Sequence, residues 1–144
     1  MHEQLKLENQ LCFRFYTVSR LINQAYQPML TDLGITYPQY LVLLVLWEHD
    51  NQPVNDIAKR LMLNTNTITP LLKRMELEGT VRRGKDDGDA RKVIVSLTEK
   101  GKKMEEKAVN IPFEMANSFT CSALTPKSGV EIASLLDAMI ETLN

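Results

Sequence analysis

The chain has little cysteine, little tryptophan and almost no net charge, and each shortage excludes something. Two cysteines in 144 residues cannot staple a small secreted fold, so stability must come from an apolar core. The opening Met1-His2-Glu3-Gln4 lacks the basic and apolar regions of a secretory signal. No apolar run approaches the roughly 18 residues of a membrane span. Together these features give a cytoplasmic chain with reduced thiols and no membrane partner as the expectation. The two histidines, His2 and His49, and the two cysteines, Cys12 and Cys121, show none of the short spacings that zinc prefers. No metal and no cofactor are expected. A net charge of −1 argues against a general polyanion binder.

The distribution of charge says more than its sum. Residues 73–103 carry ten Lys/Arg against six Asp/Glu, whereas residues 104–144 carry two against six. A basic segment of this kind in a near-neutral chain is the electrostatic footprint of a nucleic-acid binder, or else a solvated mixed surface. The hydrophobic fraction of 44% suffices for one folded domain over residues 1–144.

Periodicity supplies the elements. Leu7, Leu11, Phe15, Val18 and Ile22 recur at helical spacing over residues 5–29, with Pro28 expected to end or kink that helix. Residues 39–49 are apolar all round and read as a core helix, with a buried strand as the competing reading. A short helix over 54–61 is followed by Asn64, Thr65, Asn66 and Thr67, which are turn and N-cap residues. A second helix then runs to Glu78, with Pro70 in its first turn or bending it. Residues 80–83 and 92–97 alternate as strands around a polar tip at 84–90. Thr98 caps a long helix running towards Phe119, which Pro112 can break, and Thr125-Pro126 opens the last one.

This order is mainly α with a small β-hairpin: a winged helix-turn-helix with added terminal helices. The terminal helices are too apolar for one small domain to bury, so a two-fold homodimer is expected, with an independent monomeric bundle as the alternative. The helix-turn-helix and wing occupy residues 35–99, and residues 5–34 and 100–144 supply dimerisation helices.

Such a unit reads DNA through the N-terminal residues of its second helix. Here these are Asn64, Thr65, Asn66, Thr67 and Thr69, able to meet adenine edges and thymine methyls. Lys73 and Arg74 can hold the backbone. In the hairpin, Arg91 suits a narrow minor groove, with Asp89 placed to fix its guanidinium. Arg82, Arg83, Lys85 and Lys92 add phosphate contacts. The partner would be a double-stranded, pseudo-palindromic operator. The bland readings are a capping Asn64 and an exposed Asp89–Arg91 ion pair.

With those residues in view, the chain resembles the multiple-antibiotic-resistance regulator (MarR) superfamily, and within it the organic hydroperoxide resistance repressors. The match is carried by residues 7–13, 35–41, 46–49 and 71–76 and by the wing pattern from Asp89-x-Arg91 to Leu97-Thr98. The resemblance implies that Cys12, ordinarily a packing residue on such a helix, is a sensing thiol. Tyr16, Tyr26 and Tyr37 would form its pocket, partly supplied across the dimer. Phenol hydroxyls and a helix N-terminus are groups that favour a thiolate, and Leu11, Phe13 and Phe15 would favour apolar organic hydroperoxides. Oxidation of Cys12 would release the operator. The resulting sulfenic acid would be trapped by a low-molecular-weight thiol or by Cys121 as a resolving cysteine.

Two other functions stay open on the residues alone. One is a regulator that answers to a phenolic ligand or to general oxidative and virulence signals. The other is a thiol peroxidase, for which no active-site pattern surrounds Cys12 and in which a basic hairpin has no task. A repressor, not an enzyme, is the expectation.

Overall fold

The computed structural model of the chain describes residues 2–119 and 124–144. It forms two compact units, Met1–Val109 and Asn110–Asn144.

In the first unit, two 3-10 turns (Glu3–Leu5 and Leu7–Asn9) precede helix α1, Leu11–Leu33. The expected helix over 5–29 is thus displaced towards the C-terminus, and Pro28 lies inside it. Proline leaves the carbonyl four residues earlier without its helical donor. Gln24 and Pro28 are both exposed, so water can satisfy that carbonyl. The helix ends instead at Gly34, whose left-handed backbone (φ 70°) lets its N–H reach the carbonyls of Leu30 and Thr31.

Helix α2, Tyr37–Glu48, settles the ambiguity of the apolar run in favour of helix. Thr36 and Gln39 form a reciprocal capping box, with Pro38 in the first turn. Tyr40, Val42, Leu43, Val45 and Leu46 are all buried, so α2 is the central post of the unit. Gln39 is buried as well. Its carbonyl accepts from the Thr36 N–H at 2.9 Å and its amide donates to Glu78 at 2.7 Å.

Strand β1 (Gln52–Pro53), helix α3 (Val54–Arg60) and helix α4 (Thr65–Leu77) follow. Ile57, Ile68, Leu72 and Met75 are fully buried, the inward faces of a helix-turn-helix pair. Pro70 falls in the second turn of α4, beyond the first turn favoured by proline. Strands β2 (Val81–Lys85) and β3 (Val93–Leu97) pair antiparallel, Arg83 facing Val95, and β1 adds to the other edge of β3. The sheet therefore has three strands where the sequence suggests a hairpin. A two-residue strand leaves no alternating pattern to read.

Helix α5, Glu99–Ala108, is capped by Thr98. It crosses the α4–β2 corner so closely that a Cβ on Gly101 would lie 2.2 Å from the Thr80 carbonyl oxygen. Only glycine permits that approach. Trp47 donates its indole N–H to the Gly101 carbonyl at 3.0 Å, fixing the same crossing from α2.

The second unit holds α6 (Ile111–Ser118) and α7 (Pro126–Leu143). The single long helix expected from Thr98 towards Phe119 is two helices. α5 stops at Ala108, and a new helix starts with Pro112 in its first turn, where its missing N–H costs no helical bond. Thr125 caps α7, as its sequence suggests. Among the described residues, no single helix is long and apolar enough to cross a membrane.

Candidate nucleic-acid interface and thiol site

The N-terminus of α4 is built by Asn64. Its side-chain oxygen accepts the Thr67 N–H at 3.0 Å and the Thr67 hydroxyl at 3.1 Å. That oxygen is therefore committed to the cap. Asn64, Thr65, Asn66 and Thr67 are exposed and Thr69 is half-buried. Thr65, Thr69 and Lys73 are spaced by four residues and so share one face of α4. Thr65 and Thr69 line a cleft of about 200 Å³ whose other wall is Arg83, Arg91, Lys92 and Val93 from the wing. The cleft thus brings the helix and wing candidates together. Lys73, Arg74, Arg82, Lys85 and Lys92 are exposed.

Two of the three wing arginines, Arg91 and Arg83, have opposite environments. Arg91 is 92% exposed. Asp89 accepts both its backbone N–H at 3.0 Å and its Nε–H at 3.3 Å. The backbone bond, then the side-chain bond, hold the Asp89 carboxyl below its ordinary value. The aspartate thus keeps its charge and holds Arg91 at the base of its side chain.

Arg83 is folded back onto α4. Its Nε–H and Nη2–H both donate to Oε2 of Glu76, at 3.0 and 2.9 Å, and its backbone N–H donates to Oε1 at 3.0 Å. The side-chain and backbone bonds from Arg83 lower the Glu76 pKa from its ordinary value. Glu76 was not among the sequence candidates. A Glu and an Arg seven residues apart across a helix–turn–strand corner carry no local signature.

The thiol candidates divide into two groups. Cys12 is exposed in the first turn of α1, and Tyr16, one turn later, is 66% exposed. Near it, Arg14 donates to the carbonyls of Glu8 and Gln10 at 2.7 and 3.1 Å, folding the N-terminal turns onto the start of α1. Tyr26 and Tyr37 sit elsewhere, ring centroids 4.7 Å apart, and both face Tyr40 at 5.9 and 6.3 Å. Burial raises the pKa of Tyr26 and Tyr37 above the ordinary phenol value, with mutual repulsion adding to the effect at Tyr26. Both therefore remain protonated hydrogen-bond donors near neutrality. Cys12 and Tyr26 lie on one helix fourteen positions apart, about 21 Å at 1.5 Å per residue. One chain does not bring the four residues together. Cys121 lies outside the described residues. Among the described residues, no cluster of three or more His, Cys, Asp or Glu side chains forms a metal-holding group.

Residues 24–108 match the family model for the transcriptional regulators SarA/Rot. The organic hydroperoxide resistance transcriptional regulator of Bacillus subtilis (strain 168) is 44% identical, over 99% of this chain and 95% of its own. The chain belongs to the MarR/SarA-type family of transcription regulators.

Solved members of this family share its architecture. Reduced AbfR bound to DNA superimposes with a TM-score of 0.79 at 39% identity, covering 99% of this chain and 96% of that one. Disulfide-formed AbfR gives 0.65 at 43%, covering 96% and 95%. The fold is accordingly a winged helix of this family, with α3 and α4 as the helix-turn-helix and β2–β3 as the wing. MarR/SarA-type proteins are DNA-binding regulators, not enzymes, which removes the thiol-peroxidase alternative.

Proposed function

We propose that this regulator is a homodimeric repressor that leaves its operator when Cys12 is oxidised by an organic hydroperoxide. The observation that carries the proposal is the separation along α1 of Cys12 from Tyr26, against which Tyr37 packs. A pocket made of these residues needs two chains, running so that the first turn of one α1 meets the Tyr26 end of the other. The exposed apolar side chains of α1 support such pairing: Leu11, Val18 and Leu21 face outward, uncovered among the described residues. The α7 helix behaves alike, with Val130, Ile132, Leu135 and Leu136 exposed.

The chemistry balances without a cofactor. The Cys12 thiolate attacks the distal peroxide oxygen, a sulfur–oxygen bond forms and the O–O bond breaks. The alcohol leaves with a proton, and sulfur is oxidised by two electrons to a sulfenic acid. A small thiol, or Cys121 of the other chain, then displaces water to give a disulfide. Phenol hydroxyls of Tyr26 and Tyr37, kept protonated by burial, can donate to the thiolate and lose that partner when it is consumed. The names of two relatives support this reading: a hydroperoxide-resistance regulator, and a protein solved both reduced on DNA and as a disulfide.

On DNA, Thr65, Asn66, Thr67 and Thr69 would read the major groove and Arg91 the minor groove. Lys73, Arg74, Arg82, Lys85 and Lys92 would hold phosphates. Asn64 contributes chiefly by presenting that helix start. Fluorescence anisotropy on promoter DNA, titrated with an organic hydroperoxide, tests the proposal. Release by wild type but not by Cys12→Ser is expected. Retention by both would discard the switch, leaving a regulator controlled by another signal.

A further inference from the structure

We propose that Glu76 and Arg83 form a clamp that sets the wing against the reading helix, which makes both specificity-determining positioning residues and Arg83 no phosphate contact. The inference rests on α4 and the wing being the DNA-contacting elements.

Three bonds, at 2.9 to 3.0 Å, join one carboxylate on α4 to one residue of β2. They take up the Nε–H and one Nη–H donor of the Arg83 guanidinium and its backbone N–H, while both side chains are partly sheltered, at 23% and 36% exposure. A guanidinium held this way is turned towards its own protein, unlike that of Arg91. Glu76 lies on the last turns of α4, and Arg83 lies mid-strand on β2, opposite Val95 on β3. The outer end of β2, at Lys85, is two residues further out, roughly 7 Å at the rise of a strand. A small rotation at the clamp is therefore magnified at Arg91. At the base of the corner, the Thr80 backbone N–H and hydroxyl both donate to the Met75 carbonyl, at 3.0 and 3.1 Å.

Charge counting predicts the opposite behaviour. A carboxylate facing DNA should weaken binding, and its removal should strengthen binding to every sequence. A clamp predicts that removing the carboxylate damages discrimination. A single ion pair that water still reaches contributes little to folding, so the two roles separate experimentally.

The test uses the full chain and two duplexes, one selected from a random pool by the wild-type protein and one scrambled. Glu76→Ala, Arg83→Gln, their double variant, Glu76→Asp and Arg91→Gln are titrated on both over a series of salt concentrations. Each clamp variant is expected to lower the ratio of selected to scrambled affinity about fivefold or more, the scale of one mismatched base pair. The double variant should lose no more than either single, as for two halves of one device. Glu76→Asp, which keeps the charge and shortens the reach, should lose discrimination too. The salt slope of Arg83→Gln should match wild type. A slope smaller by about one phosphate contact for Arg83→Gln, with tighter binding to both duplexes for Glu76→Ala, would overturn the clamp and restore a phosphate role. Arg91→Gln separates this failure from the wider one. If it leaves the ratio unchanged, the wing does not read DNA and the clamp falls with that premise.

Discussion

The reading helix with its wing and the first turns of α1 make opposite use of their side chains. Around α4 and β2, polar groups meet partners within the chain: Asn64 caps Thr67, Glu76 holds Arg83, Asp89 holds Arg91 and Gln39 holds Glu78. Beneath them Ile57, Ile68 and Leu72 are fully buried. Around Cys12, the side chains of Leu7, Leu11 and Tyr16 are exposed, and Tyr26, one of the phenols that would complete a thiol pocket, is about 21 Å away along α1. The first region is finished in one chain, and the second, on the proposed function, is half a site. In the proposed dimer that division would let the DNA-reading unit keep its geometry while a sensor between subunits converts chemistry into a change of their spacing.

The largest effect should come from denying the second chain. Ile132→Glu with Leu136→Glu, on the exposed face of α7, should give a monomer by analytical ultracentrifugation. Operator affinity should fall about 100-fold or more, as avidity is lost. A variant that stays dimeric and binds normally would break the comparison at its root. Next, the finished region should tolerate no intrusion. Gly101→Ala places a methyl 2.2 Å from the Thr80 carbonyl oxygen, a backbone atom that cannot rotate away. It should cost about 2 kcal/mol in denaturant unfolding, in the range of overpacked cores.

A smaller effect separates capping from reading at one residue. Asn64→Asp retains an N-cap acceptor, so the midpoint of thermal unfolding should stay near wild type. A carboxylate facing the groove should lower DNA affinity about tenfold. Equal loss of both would make Asn64 structural only. The smallest effect concerns the buried phenols. Their raised pKa values mean that the folded state resists ionisation. Their contribution to stability is complete below the ordinary phenol value near 10 and is lost as pH rises through the raised values. Phenolate absorbance from Tyr26, Tyr37 and Tyr40 should accordingly develop only above the ordinary phenol value.

Most of the winged helix was legible because its signals are local. Asn64, Thr98 and Thr125 cap the helices that their residue types suggest, and Val95 and Leu97 are buried at the spacing of a strand. What escaped was non-local or conditional. Strand β1 exists only because Gln52 and Pro53 find β3. Pro28 is carried through α1 because its neighbourhood is exposed and Gly34 provides a better stop. The Glu76 clamp depends on a corner that no periodicity encodes. The thiol site was legible as residue types through family resemblance, which also implied tyrosines supplied across a dimer; the distance of about 21 Å between Cys12 and Tyr26 along α1 was not, because it depends on where that helix begins and ends.

Subunit mixing tests the central claim, a sensor assembled across two chains. Cys12→Ser protein is mixed with the Tyr26→Phe, Tyr37→Phe double variant, subunits are exchanged, and sulfenic acid formation is followed on addition of an organic hydroperoxide. In a mixed dimer one thiol of the double variant faces the intact tyrosines of its partner. The account predicts that this thiol reacts at the wild-type rate, while the double-variant homodimer reacts slowly. A mixed dimer as slow as that homodimer would mean that each thiol depends on its own chain's tyrosines or on none, and would contradict the shared site.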